Sequence, residues 1–233
     1  MTALLSILIP CYNEGGTIRT LVERVAAQQS YVGQIIVAND GSSDQTRFIL
    51  DDYKKAWTHP SIELTILHLD QNRGKGAAVR AALEKATLPY ILIQDADLEL
   101  NPSDYHALLQ PIVSHNADVV FGNRFPEGYP STLRWASRIA NTIVTVLSNS
   151  LYDMKLDDQA CGYKLLPTSL AKELKLKSDG FEICSEMTAK VGRRRSRVTS
   201  VAVHYDPRDM NQGKKIRWID GFIAVYTLIK YRL

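Results

Sequence analysis

Cysteine is scarce: Cys11, Cys161 and Cys184 are the only three in 233 residues, and no two form a CxxC pair. This spacing excludes a disulfide framework and a thiolate zinc site, and it suits a reducing cytoplasm. A strong excess of one charge is missing too. Lys and Arg number 28 against 25 Asp and Glu, a formal net charge of +3, without the basic and aromatic clustering of a nucleic-acid partner. Long hydrophobic runs are absent. The longest candidate, 139–151, is broken by Asn141, Asn149 and several hydroxyls, and falls short of the about 20 apolar residues of a membrane span. The first residues lack the charged region, apolar core and cleavage site of a signal peptide. The expectation is a cytoplasmic protein that meets a membrane only peripherally, at its inner face. Repeats, low-complexity tracts and linkers are also lacking, so residues 1–233 read as one domain, 45% hydrophobic and 23% charged.

What is present is an alternation of short apolar runs with helical patterns. Residues 4–9 are apolar but for Ser6 and end at Pro10, as a strand buried on both faces should. Ile18, Leu21, Val22 and Val25 recur at helical spacing. Further strands are expected at 34–38, 62–69, 90–94 and 119–121, with helices near 44–54 and 74–86 between them. Strands separated by helices imply a mostly parallel sheet with helices on both faces. The second half is less regular: a helix at 133–151, a compact segment at 157–166, a helix at 182–190, a strand at 198–205, a polar loop and a final helix at 216–233.

Polar clusters fall where strands end: Tyr12-Asn13-Glu14, Asp40-Gly41-Ser42, Asn72-Arg73-Gly74-Lys75, Asp95–Glu99 and Asn123-Arg124. Ligands of parallel α/β sheets sit beyond those ends. In an extended segment Asp95, Asp97 and Glu99 face one way. Three carboxylates together repel unless a cation lies between them, and oxygen ligands suit Mg²⁺ or Mn²⁺. Gly74 and Gly76 allow close backbone approach at a helix start, where anions are favoured, and Lys75 adds positive charge. Residues 10–16 contain no GxGxxG, which argues against a nicotinamide dehydrogenase.

Pro10-Cys11-Tyr12-Asn13-Glu14, Asn39–Asp44, Asn72–Gly76, Asp95-Ala96-Asp97-Leu98-Glu99, Gly122-Asn123-Arg124, Asp158–Lys164 and Phe181-Glu182-Ile183 together resemble glycosyltransferase family 2. The likeness is greatest to its polyprenyl-phosphate (dolichol-phosphate mannose or glucose) synthase branch. The resemblance implies a GT-A fold, with a Rossmann-like nucleotide-sugar half at 1–125 and an acceptor half at 126–233. It implies that Pro10, Tyr12 and Glu14 line the nucleotide pocket, that Asp40 contacts the base beside Ser42, and that the Asp95-Ala96-Asp97 segment grips the donor. Asp97 and Glu99 would hold the metal, while Asp95 faces the nucleotide and sugar. Members of the branch often carry Gln where this chain has Glu99, so the added negative charge would tighten the metal or alter its preference. Related synthases commonly continue into membrane spans beyond the point where this chain ends.

The implied reaction is an inverting transfer of a hexose from a UDP- or GDP-sugar. A lipid-phosphate acceptor is already anionic and needs only cations to place it; Arg124, Arg134, Arg208, Lys214 and Lys215 are the candidates. A hydroxyl acceptor, as in surface-polysaccharide assembly, needs a base, and Asp157, Asp158 and Glu186 are available. A nucleotide-sugar-binding subunit without turnover is a third reading. On the final helix, Ile216, Ile219, Phe222, Ile223, Tyr226 and Ile229 can form an apolar stripe, with Lys214, Lys215, Arg217, Lys230 and Arg232 toward its ends. It fits an interfacial helix, core packing or an oligomer contact.

Overall fold

The sequence LSILIPC forms β1 (Leu5–Cys11), with every residue buried. Its alternate residues enter two different cores: Leu5, Ile7 and Ile9 on one side and Leu8 on the other. A near-continuous apolar run is what a strand covered on both faces requires, and its one polar side chain, Ser6, donates to Gln34 Oε1 at 2.7 Å. The structure is a computed structural model describing residues 3–131, 133–208 and 218–233. After β1 come α1 (Ile18–Ala26), β2 (Val32–Asn39), α2 (Thr46–Lys55), β3 (Glu63–His68), α3 (Lys75–Lys85) and β4 (Tyr90–Ile93). A 3₁₀ turn at Pro102–Asp104 leads into α4 (Tyr105–Val113), β5 (Val119–Asn123), α5 (Trp135–Tyr152) and β6 (Lys164–Pro167). The remaining described elements are α6 (Thr168–Glu173), α7 (Ile183–Arg193), β7 (Val198–Ala202) and α8 (Trp218–Lys230).

The described strands form one seven-stranded sheet in the order β3-β2-β1-β4-β6-β5-β7. All pairings are parallel except those of β6, which runs antiparallel between β4 and β5. The sequence reading had 157–166 only as a compact segment. Its first part is a turn at the site edge, so the strand leaving that turn runs back through the sheet. The sequence reading also omitted α4, where Pro102 and Pro111 interrupt the pattern, and the short α6.

Helices cover both faces, as expected. Ile18, Leu21, Val22 and Val25 of α1 and Tyr105, Leu108, Leu109 and Ile112 of α4 close one core. Ala78, Val79 and Ala82 of α3 and Ile183, Met187 and Val191 of α7 close the other. Beyond α7 lies a further layer, in which Val144 and Tyr152 of α5 and Leu228 of α8 pack around Ala189. None of the described helices is long and apolar enough to cross a membrane.

Candidate functional site

The strand-end clusters lie along one edge of the sheet, where hydrogen bonds between neighbouring loops set their spacing. Pro10 and Cys11 pair with Ala38 and Asn39 at the end of the β1/β2 register, and half-buried Tyr12 follows. Asn13 is in the left-handed region (φ 50°), and its Oδ1 accepts the Ser43 N–H at 2.8 Å. The Asn13 N–H donates to Ser42 Oγ at 2.9 Å, and that hydroxyl donates to Asn39 Oδ1 at 2.5 Å. Glu14 N–H donates to Thr46 Oγ1 at 2.9 Å. Asp40 is buried, and its two oxygens accept the N–H groups of Arg73 (2.9 Å) and Gly74 (2.7 Å). Ser42 and Asp40 thus brace the first and third loops, a task the motif alone does not reveal. Gly41 has φ 65°, and a Cβ there would strike the Gln71–Asn72 backbone.

The glycines at the start of α3 have a different use from the one expected. Gly74 (φ 105°) and Gly76 face the backbone of Ser178 and Asp179, which a Cβ at either position would strike. The Asp179 carbonyl also accepts the Ala77 N–H at 3.1 Å. This helix start is packed against and capped by the 177–182 loop, so close approach serves packing. Lys75 reaches Asp95 Oδ1 at 2.5 Å. Burial opposes its charge, yet the Asp95 carboxylate carries its pKa above the ordinary lysine value.

Asp95-Ala96-Asp97 leaves β4 as a turn, not as the extended segment the spacing suggested. Leu98 sits at φ 65°, the Glu99 N–H donates to Asp97 Oδ1 at 3.2 Å, and the Ala96 carbonyl accepts the Thr17 hydroxyl at 2.8 Å. The acidic groups still act on one another. Burial, then the neighbouring Asp95 and Glu99 carboxylates, push the Asp97 carboxyl up to about 7. Hard oxygen donors that repel one another suit a divalent cation in kind, although no group of three or more His, Cys, Asp or Glu among the described residues is arranged to hold one.

The basic residues divide. Arg208 enters the donor side: its Nη2 donates to Glu14 Oε2 at 2.8 Å, its Nε to the Asp97 carbonyl at 2.8 Å and its backbone N–H to Glu99 Oε1 at 3.1 Å. Arg124, at the end of β5, forms a fork with Asp158 through Nε (2.7 Å) and Nη2 (2.9 Å), and lies over the Phe125 and Tyr205 rings. Arg134 is exposed at the N-cap position of α5. Lys214 and Lys215 lie outside the described residues.

Two of the three base candidates are committed elsewhere. Asp158 is fully buried; burial opposes its charge, but its bonds to Arg124 and to Asn141 Nδ2 (3.0 Å) hold its carboxyl below the ordinary value. Buried Glu186 binds the backbone N–H groups of Lys177 and Ser178 and the Lys190 amine, and is held below its ordinary value despite burial. Asp157 is exposed. Lys164 was missed by the sequence reading: fully buried, it donates to the carbonyls of Gln159 (2.9 Å) and Cys161 (3.2 Å). A charged residue between apolar Tyr163 and Leu165 was the available signal. The turn it ties places Gly162 so close to the Asp95 carboxylate that a Cβ there would collide with it.

Comparison with known proteins agrees with this fold. The family model described as Glycosyl transferase family 2 matches residues 6–175. The dodecaprenyl-phosphate galacturonate synthase of Rhizobium johnstonii is 29% identical over 236 residues, covering 98% of this chain and 68% of its own length. Glycosyltransferase AglJ of Haloferax volcanii is 29% identical, covering 87% and 63%. A dolichyl-phosphate beta-glucosyltransferase (ALG5D) of Trichomonas vaginalis is 26% identical, covering 94% and 70%. The chain thus spans about two thirds of these relatives' length. Among solved structures, glucosyl-3-phosphoglycerate synthase from Mycobacterium tuberculosis, in complex with Mn²⁺, UDP and phosphoglyceric acid, superposes with a TM-score of 0.72. That match covers 99% of this chain and 78% of the other at 15% identity, a likeness of fold.

Proposed function

The chain belongs to glycosyl transferase family 2, and from that premise we propose that it transfers a hexose, with inversion, from a UDP- or GDP-sugar to polyprenyl phosphate at the inner face of a membrane. The donor would lie along the edge formed by Pro10, Tyr12, Glu14, Asp40 and Ser42. Asp97 and Glu99 would hold Mg²⁺ or Mn²⁺, which neutralises charge on the departing diphosphate. Asp95 pairs with Lys75 and lies close against Gly162, and its carboxylate would face the sugar side. The names of the dodecaprenyl- and dolichyl-phosphate relatives support the acceptor class.

The observation that carries the acceptor reading is the commitment of Asp158 and Glu186 to internal bonds. A hydroxyl nucleophile needs a carboxylate that can take a proton; these two are held ionised by cations and backbone N–H groups, which leaves exposed Asp157 as the one remaining candidate of the three. A phosphate nucleophile needs none. Arg124, fixed by Asp158, has N–H groups left to receive a phosphate oxygen, with Arg134, Lys214 and Lys215 as further cations.

A peripheral membrane contact has its own support. Trp135, Ile139, Ile143 and Val146 form an exposed stripe on α5, and Phe222 and Tyr226 are exposed on the adjacent α8. Arg134 and Arg138 stand at one end of this face and Lys230 and Arg232 at the other. An apolar face with basic ends suits an anionic lipid surface. The test is nucleotide release from UDP-glucose, UDP-GlcNAc, UDP-galactose and GDP-mannose, with and without undecaprenyl phosphate and Mn²⁺. One donor should respond to both additions. Equal release by all donors without lipid or metal would refute the reading.

A further inference from the structure

Three buried polar side chains meet at the base of the acidic turn. Gln94 directly follows β4 and extends its ladder, donating its backbone N–H to the Leu8 carbonyl at 2.9 Å. Its side chain is fully buried against Tyr105, at the start of α4, and Tyr163, just before β6, which are fully buried too. Both phenols donate to Gln94 Oε1, Tyr105 at 2.8 Å and Tyr163 at 2.7 Å. The two rings meet edge to face, with centroids 5.9 Å apart. On its other side the Gln94 Nε2 donates to the Asp95 carbonyl at 3.1 Å and to the Leu100 carbonyl at 3.5 Å.

The amide has one orientation that satisfies all of these partners. Backbone carbonyls accept and cannot donate, so Nε2 must face the turn and Oε1 the phenols. Burial pushes both phenols well above their ordinary pKa, which keeps them protonated as donors. Glutamate would set a carboxylate oxygen against the carbonyls, and leucine would leave two phenols unpaired in the core. Buried polar groups are costly unless satisfied, so this cluster does something that apolar packing cannot. It ties the first and last residues of the 95–100 turn to one rigid amide, itself held by tyrosines 11 and 69 residues away in sequence. Asp97 and Glu99 lie between the two tied carbonyls.

We propose that Gln94 is a positioning residue for the donor: its amide, oriented by the Tyr105 and Tyr163 hydroxyls, fixes the shape of the 95–100 turn and so the places of the Asp97 and Glu99 carboxylates. The inference rests on the reading of that turn as the donor grip and names what sets its geometry. Fully buried, Gln94 acts through the turn and not on the substrate.

The test separates position from stability. Replacing every side chain of a buried network by an apolar one of similar shape costs little stability. Gln94→Met combined with Tyr105→Phe and Tyr163→Phe should therefore unfold in denaturant near the wild-type midpoint. Calorimetry with UDP and with GDP, each in Mn²⁺, identifies the nucleotide that the wild type binds. The triple variant should hold that nucleotide about 10-fold more weakly, the size of one displaced polar contact. In nucleotide-free protein, the Glu99 and Asp206 amides donate to Asp97 Oδ1 and to the Glu99 carbonyl, and both should exchange hydrogen faster in the variant. Wild-type affinity in the folded triple variant overturns the proposal, and so does unchanged exchange at those amides. Should the triple variant not fold, Tyr105→Phe alone, which leaves Oε1 one phenol, carries the test. Faster exchange at Glu99 than in the wild type then supports the tie, and equal exchange overturns it. Failure of the wild type to bind either nucleotide overturns the donor reading instead, and the exchange result still decides whether Gln94 holds the turn.

Discussion

At the scale of single residues, Asp158 shows how a charge is removed from chemistry by being made structural. Its carboxylate receives the Nε, Nη2 and backbone N–H of Arg124 and the Asn141 amide, with no side-chain exposure. Breaking a buried pair by deleting one partner leaves an uncompensated charge. Asp158→Ala is expected to cost about 3–5 kcal/mol in denaturant unfolding, and to reduce turnover because Arg124 loses its orientation. The pH dependence follows from the sign of the shift. The folded-state pKa lies below the ordinary aspartate value of about 4, so this stability is fully present above that pH. It is lost as pH falls through the lower folded value. Asp158→Asn should flatten this acid limb in unfolding measured across pH, and an unchanged limb would show that other carboxylates dominate. None of this was legible in the segment Asp158-Gln159-Ala160, since Asp158 read equally well as a base. Ion pairing between residues far apart in sequence decides the matter, and sequence spacing does not report it.

At the scale of elements, the start of α3 shows the same gap between motif and use. Gly74-Lys75-Gly76 reads as a phosphate cradle, yet Asp179 already caps the helix start. Gly76→Ala should force the 177–182 loop away and cost about 1–3 kcal/mol, the usual penalty of overpacking. Because Lys75 moves with the helix start, its pair with Asp95 should weaken and donor affinity should fall in a nucleotide-binding titration. Wild-type stability and affinity in Gly76→Ala would contradict the packing account. The strands and longer helices were readable because apolar periodicity has one physical cause, burial against the sheet. The strand β6 was not, because its direction depends on the turn before it. Nor was the turned shape of Asp95–Glu99, since alternating acidic residues look alike in extended and turned backbone.

At the scale of the whole molecule, one sheet joins strands from both halves of the chain, with β6 placed between β4 and β5. Arg124, just after β5, is thereby bonded to one end of the 158–162 turn, and Asp95, just after β4, lies close against the other. On the far side of α7, the α5 and α8 stripes remain exposed. The final stripe was legible as amphipathic but not as outward-facing, because periodicity cannot tell core from surface contact. Trp135→Glu combined with Ile143→Glu should abolish co-flotation with phosphatidylglycerol vesicles. Nucleotide release with a short, water-soluble prenyl phosphate should persist in that double variant. Retained flotation would contradict assignment of this face to the membrane.

The central claim is that the acceptor is a phosphate and needs no base from the protein. Its most direct test compares nucleotide release with undecaprenyl phosphate and with undecaprenol, the same chain ending in a hydroxyl, with the same donor, Mn²⁺ and detergent. The account expects release to rise at least about 100-fold with the phosphate, the lower bound of what a missing general base withholds from a hydroxyl, and to stay at background with the alcohol. Equal stimulation by undecaprenol would contradict it, because a base would then have to be at work.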